Sequence, residues 1–144
     1  MQLLLQRVTR AAVDVDATRI AAIGPGLLIF VGVLPDDTRA DAERLADRAL
    51  DLRIFPDAAK PMNRSVVDVG GEVLVVSQFT LAADTRRGRR PSFDSAAPPE
   101  LARQRVAEFA ARVRGRLGAV AEGRFGADMQ VSLVNDGPVT FLLS

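Results

Sequence analysis

The residues able to do chemistry in this sequence are few, and the absent ones narrow the field first. There is no His and no Cys among the 144 residues. A Ser-His-Asp triad, a Cys-His pair and the usual zinc ligand sets therefore cannot be built, and neither a metal nor a cofactor is expected. Catalysis has to run on hydroxyls, carboxylates, Arg, backbone groups or the substrate itself. Disulfides are excluded as well, so redox conditions do not constrain the compartment.

Three stretches remain as candidates. Ser77-Gln78-Phe79-Thr80 stands where an apolar run meets a polar one, a common place for a site. In an extended strand Ser77 and Phe79 face one way, Gln78 and Thr80 the other. Thr is also at home in strands, and pattern alone favours a structural role. As a nucleophile, Thr80 would need an adjacent base. The second stretch is "DTRRGRRPSF", with Arg86, Arg87, Arg89, Arg90 and then Phe93. Clustered guanidiniums with Gly and an aromatic suit phosphate contacts on RNA; a solvated charged loop is the plainer alternative. The third is Asn135-Asp136-Gly137-Pro138, set between two strand-like runs. Asp-Gly signals a hairpin, but Pro138 withholds a backbone donor where the second strand should begin pairing. As a turn at a sheet edge such a Pro is tolerated. As a functional element, Gly137 admits close backbone approach to a ligand. Pattern alone favours a trans bond before Pro138.

The elements that must hold these stretches read as follows. The start alternates Leu3, Leu5 and Arg7 with Leu4, Gln6 and Val8, and short strand-like segments follow to Ile23. Gly24-Pro25-Gly26 is a turn into the continuous apolar run "LLIFVGVL", a fully buried strand. Asp36-Asp37-Thr38 offers N-caps for a helix with Ala42, Leu45, Ala49 and Leu52 on one face. Gly70-Gly71 reads as a hairpin turn into the strand "EVLVVSQFTL". Residues 82–98 form a long loop, uncommon in a compact domain unless it has work to do. Pro98-Pro99-Glu100 opens a second helix whose buried stripe is Ala102, Val106, Phe109, Val113 and Leu117, stopped by Gly118. Strands over 128–135 and 139–143 close the chain. This order predicts one α+β domain spanning 1–144, with a largely antiparallel, curled sheet and two helices against it. The longest charge-free stretch, 20–35, is broken by Gly-Pro-Gly and too short to span a bilayer comfortably. With no signal-peptide pattern at the start, a cytoplasmic location is expected and no membrane partner.

Taken together and in order, these segments resemble the D-aminoacyl-tRNA deacylases. The resemblance runs through "QRVTRA" at 6–11, "IGPGLLIFVGV" at 23–33, "LRIF" at 52–55, "VLVVSQFTLAADT" at 73–85, "GRRPSF" at 88–93 and "GRFGADMQVSLVNDGPVTF" at 123–141. The pair "SQFTL" and "NDGPVT" is its most specific part. One departure is Lys60-Pro61-Met62-Asn63, where the family usually reads Gly-Lys-Met-Asn, and it bears on local loop shape only. The resemblance implies a small β-barrel-like α+β domain and a homodimeric hydrolase. Its substrate would be the ester joining a D-amino acid, or glycine, to the terminal ribose of tRNA. It further implies that Gly137-Pro138 is a Gly-cisPro element inserted into the partner's site to exclude L side chains. Gln78 and Thr80 would be catalytic, and Ser77, Phe79 and Arg7 would join Gly137 and Pro138 in binding substrate. Arg86, Arg87, Arg89 and Arg90 would contact tRNA. The proton chemistry falls to Thr80 or to the tRNA's own 2′-hydroxyl, with the latter favoured because no base stands beside Thr80. Two competing readings are a non-catalytic tRNA-binding module and a small-molecule hydrolase or deaminase built between subunits.

Overall fold

A single 14-residue strand, β1 (Gln2–Val15), organises the sheet in this computed structural model, which describes residues 1–144. The strand-like pieces read separately at the start of the sequence are thus continuous to Val15. A two-residue turn at Asp16 and Ala17, both with positive φ, leads into β2 (Thr18–Ile23), the geometry that suits a tight hairpin. Strand β3 (Gly26–Gly32) pairs antiparallel with the first half of β1, and β2 with its second half. Along β1's other side runs β6 (Gln130–Leu143), also antiparallel. Strands β4 (Glu72–Ser77) and the short β5 (Ala121–Glu122) extend the sheet from β3 in parallel register. The sheet is therefore mixed, with three antiparallel and two parallel pairings, and curls into a nearly closed barrel-like form. Because β4 runs parallel to β3, Gly70-Gly71 is not a hairpin turn. It ends a run of turns over 66–70 and feeds the chain into a parallel strand. A parallel partner needs a crossover, and helix α1 (Arg39–Asp51) supplies it. Gly26 is required where β3 meets β4: a Cβ there would lie 1.8 Å from the Glu72 carbonyl oxygen.

Alternation along the strands divides the apolar residues between two clusters. Leu3, Leu5, Leu27, Ile29, Val31, Val73 and Val75 face α1 and α2 (Pro99–Leu117), against Leu45, Ala49, Val106 and Phe109. Leu28, Leu74 and Val76 face the opposite way, into the barrel, with Val8, Ala11, Val13 and Ile23. β1 changes phase between Leu5 and Ala11 because its pairing with β6 slips at Val8–Arg10. A bulge of this kind flips every later side chain to the other face. Helix α1 begins at a capping box: Thr38 caps the Asp41 amide, and the Asp41 carboxylate accepts from the Thr38 amide at 2.9 Å. Its buried face is Ala42, Leu45, Ala46, Ala49 and Leu50; Leu52, placed on that face by spacing, is the C-cap. Helix α2 starts with Pro99 at its first position and ends at Gly118 in the left-handed region. The two helices are tied across their outer side by Arg112 and Arg116, which donate to Asp47 and Asp51.

Candidate active site

The strand expected over 72–81 stops at Ser77, because Phe79–Ala82 coils into a single 3₁₀ turn. Alternation consequently does not govern Gln78 and Thr80. Instead the turn brings their side chains together, Gln78 Nε2 donating to Thr80 Oγ1 at 2.5 Å. The Gln78 amide extends the β3–β4 ladder by one bond, to the Val31 carbonyl at 2.8 Å. The turn's first internal bond runs from the Leu81 amide to the Gln78 carbonyl at 3.2 Å. That leaves the N–H groups of Phe79 and Thr80 outside the turn's own hydrogen bonding.

Ser77, Gln78 and Phe79 line a cleft of about 410 Å³, closed on its far side by Phe125 to Met129, Val131, Pro99 and Ala102. Spacing alone gave no signal for this far wall. Thr80 belongs to the same turn but is exposed and outside the cleft lining. Phe79 is exposed over about half its surface (54%) and meets Phe93 edge to face, with centroids 5.0 Å apart. This contact brings the Arg-rich loop to one rim of the cleft. The loop is closed by paired backbone bonds between Asp84 and Ser92 at 2.8 and 2.9 Å. Within it Arg86 is engaged by Asp84 at 2.9 and 2.7 Å, and that guanidinium holds the Asp84 carboxyl below the usual carboxylate range. Arg87, Arg89 and Arg90 are exposed and form no ion pair, so three of the four cations are free for a polyanion.

The "NDGP" stretch is not a hairpin. Both halves of β6 pair with β1, Thr140 with Gln6 and Asn135 with Val8. Asp136 to Val139 therefore stand opposite Arg7 alone, as an oversized bulge in a continuous strand. Pro138 can lack an N–H because no ladder partner faces it. The Gly137–Pro138 peptide is cis, and both residues are exposed. Arg7, buried to 8% exposure, donates from Nε to the Asp136 carbonyl at 3.0 Å and from Nη1 to the Ile54 carbonyl at 2.6 Å. Its guanidinium also lies 6.0 Å from the Phe55 ring centroid. The "LRIF" segment thus anchors the cation that holds the bulge. The departure at Lys60-Pro61 lies in a neighbouring turn, where Asp57 accepts from the Ala59 and Lys60 amides, both at 2.8 Å.

Within the chain the structure brings Ser77, Gln78, Phe79 and Thr80 together, and separately Arg7 with the bulge, but not the two groups with each other. Arg7 is in register with Leu27, whereas Ser77 is in register with Val31. Four residues along β3 are about 13 Å, and no residue of the bulge lines the cleft.

The cleft holds one carboxylate, Asp128, beside Ser77, Gln78, Phe79 and mainly apolar side chains, with a basic loop at its rim. This arrangement suits an already labile carbonyl carried on a nucleic acid. Comparison with known proteins is consistent with that class. The family model described as D-Tyr-tRNA(Tyr) deacylase matches residues 4–144, and the chain belongs to this family. It is 57% identical over 143 residues to the D-aminoacyl-tRNA deacylase of Teredinibacter turnerae, covering 99% of both chains. It is 60% identical to that of Roseiflexus castenholzii, covering 99% of this chain and 91% of the relative. Among solved structures, one described as a c-Myc DNA unwinding element binding protein superposes with a TM-score of 0.94 at 39% identity, covering 100% of this chain and 98% of the other.

Proposed function

We propose that this chain is a D-aminoacyl-tRNA deacylase: it hydrolyses the ester linking a D-amino acid, or glycine, to the 3′-terminal ribose of tRNA. In this reading residues 1–144 form one deacylase domain that works in the cytoplasm as a homodimer, one copy's bulge entering the other copy's cleft. The observation that carries the reading is that the family's match spans 4–144, while its two signature segments build the cleft wall and the exposed bulge.

Water attacks the ester carbonyl carbon, and the carbonyl oxygen gains negative charge. In this reading the Phe79 and Thr80 N–H groups, left outside the turn's own hydrogen bonding, receive that charge, a contribution of about 3–4 kcal/mol per donor. Collapse breaks the bond to the ribose 3′-oxygen, and the adjacent 2′-hydroxyl passes a proton from the attacking water to the leaving oxygen. An aminoacyl ester needs less assistance than an amide, so a site without His suffices. The backbone of Gly137 and Pro138, facing the α-carbon from the second copy, occupies the space an L side chain needs. A backbone fence tests the α-carbon and leaves the side chain free, so many D-amino acids pass. Support for a second copy comes from β6, whose outer edge has no partner strand and whose Leu142 is 73% exposed beside the bulge. No helix is long and apolar enough to cross a membrane.

Incubation with D-Tyr-tRNA, L-Tyr-tRNA and the free methyl ester of D-Tyr tests the proposal. Rapid release from D-Tyr-tRNA alone is expected. Binding of tRNA without release would instead indicate a non-catalytic RNA module, and equal turnover of the free ester a small-molecule hydrolase.

A further inference from the structure

We infer that Asn135 is a positioning residue for stereochemical selection, its side chain serving as the missing strand partner of the bulge; this rests on the function proposed above. Four residues of β6, Asp136 to Val139, share the single residue Arg7 opposite them on β1 and have no register partner there. In an antiparallel ladder every second pair of facing residues exchanges two hydrogen bonds between their N–H and C=O groups. Val139 has no such facing residue, yet both of its backbone groups are engaged. Its amide donates to Asn135 Oδ1 at 2.7 Å, and its carbonyl accepts from Asn135 Nδ2 at 3.1 Å. A carboxamide presents one acceptor and one donor side by side, the same pair a backbone residue would offer. The orientation of the amide is fixed by chemistry, because a backbone N–H can only donate.

Asn135 Nδ2 also donates to Thr140 Oγ1 at 3.1 Å, and the same oxygen accepts from Gln6 Nε2 at 3.1 Å. The two ends of the bulge are thereby sutured to one another and to β1. Arg7 acts differently: it grips the Asp136 carbonyl and sets where the bulge stands on the domain. Asn135 sets the separation of the bulge's ends, and so the direction in which the intervening backbone projects. Asp would match the shape but not the function. It keeps an acceptor for the Val139 amide and turns the donor toward the Val139 carbonyl into a second acceptor, so the two oxygens repel.

The test compares kcat/KM for D-Tyr-tRNA and L-Tyr-tRNA in Asn135→Asp and Asn135→Ala, with Gly137→Ala as the reference for a displaced bulge. A Cβ at Gly137 would lie 2.6 Å from the Val139 nitrogen, so that substitution must move the bulge. Both Asn135 variants are expected to raise turnover of L-Tyr-tRNA at least tenfold, with D-Tyr-tRNA turnover changed less than threefold. A variant that merely fails to fold loses turnover of both substrates and cannot gain one. If Gly137→Ala relaxes selectivity and both Asn135 variants keep the parent's D/L ratio, the inference about Asn135 is wrong while the proposed function stands. If Gly137→Ala also keeps the ratio, exclusion by the bulge is wrong, and the role of Asn135 falls with it.

Discussion

Thr80 is the one hydroxyl in the strand-end motif that a reader of the sequence would nominate as nucleophile, and its partner argues against that role. The group at its oxygen is the Gln78 carboxamide, which is not a base in either orientation. A nucleophilic hydroxyl needs an adjacent base to take its proton, and a carboxamide is too weakly basic to do so. The proposed mechanism accordingly gives Thr80 the task of holding Gln78 and assigns the proton to the substrate's 2′-hydroxyl. Thr80→Val is expected to keep single-turnover deacylation of D-Tyr-tRNA within about tenfold of the parent, a change of about 1.4 kcal/mol in the barrier. Removal of the substrate's terminal 2′-hydroxyl should cost far more. Loss of a thousandfold in Thr80→Val with tRNA binding intact would return the nucleophile or proton shuttle to Thr80.

At the scale of elements, the pairing of α1 with α2 depends on a charge whose titration can be followed. Asp47 on α1 accepts from Arg112 at 2.8 and 2.9 Å and from Arg116 at 3.3 Å. The Arg112 guanidinium holds this carboxyl below its usual range. A carboxyl depressed in the folded state stabilises above its unfolded pKa, about 3.9, and that stabilisation is lost as pH falls through the lower folded value. Urea unfolding should show Asp47→Asn weaker than the parent by about 1 kcal/mol or less at pH 7, the gap narrowing below pH 4. A gap independent of pH would mean that Asp47 acts through helix packing rather than charge. The helices themselves were legible in the sequence, because capping residues and spacing of apolar positions are local signals: Thr38, Pro99 and Gly118 mark their ends. The parallel register of β4, the end of that strand at Ser77 and the bulge at 136–139 were not. The strand ends at a local 3₁₀ turn over Phe79–Ala82 that the strand-like run of residue types masked. The register and the bulge depend on partners distant in the chain, β3 and Arg7. The same limit hid the cleft's far wall, since Phe125 to Met129 meet Ser77 only after the barrel curls. What the sequence offered at the site was the identity of its motifs; what it withheld was their separation within the chain.

On the scale of the whole molecule, that separation is the central fact. The cleft wall at 77–79 and the bulge at 136–139 belong to different ends of β3's register, and Asp136, Gly137 and Pro138 of the bulge are exposed to solvent. The proposed chirality fence, standing away from its own cleft, would act against the cleft of another copy. Subunit mixing tests this directly, using two defective variants. Gly137→Ala keeps its cleft and, with its bulge displaced, is expected to hydrolyse L-Tyr-tRNA. Gln78→Ala combined with Phe79→Ala keeps its bulge and is expected to hydrolyse neither substrate. After co-refolding with an excess of the cleft-defective chain, each intact cleft faces an intact bulge from its partner. The account predicts that hydrolysis of L-Tyr-tRNA per Gly137→Ala chain then falls toward the parent's level while hydrolysis of D-Tyr-tRNA persists. Hydrolysis of L-Tyr-tRNA that stays unchanged at every mixing ratio, in dimers shown to have exchanged subunits, would contradict it.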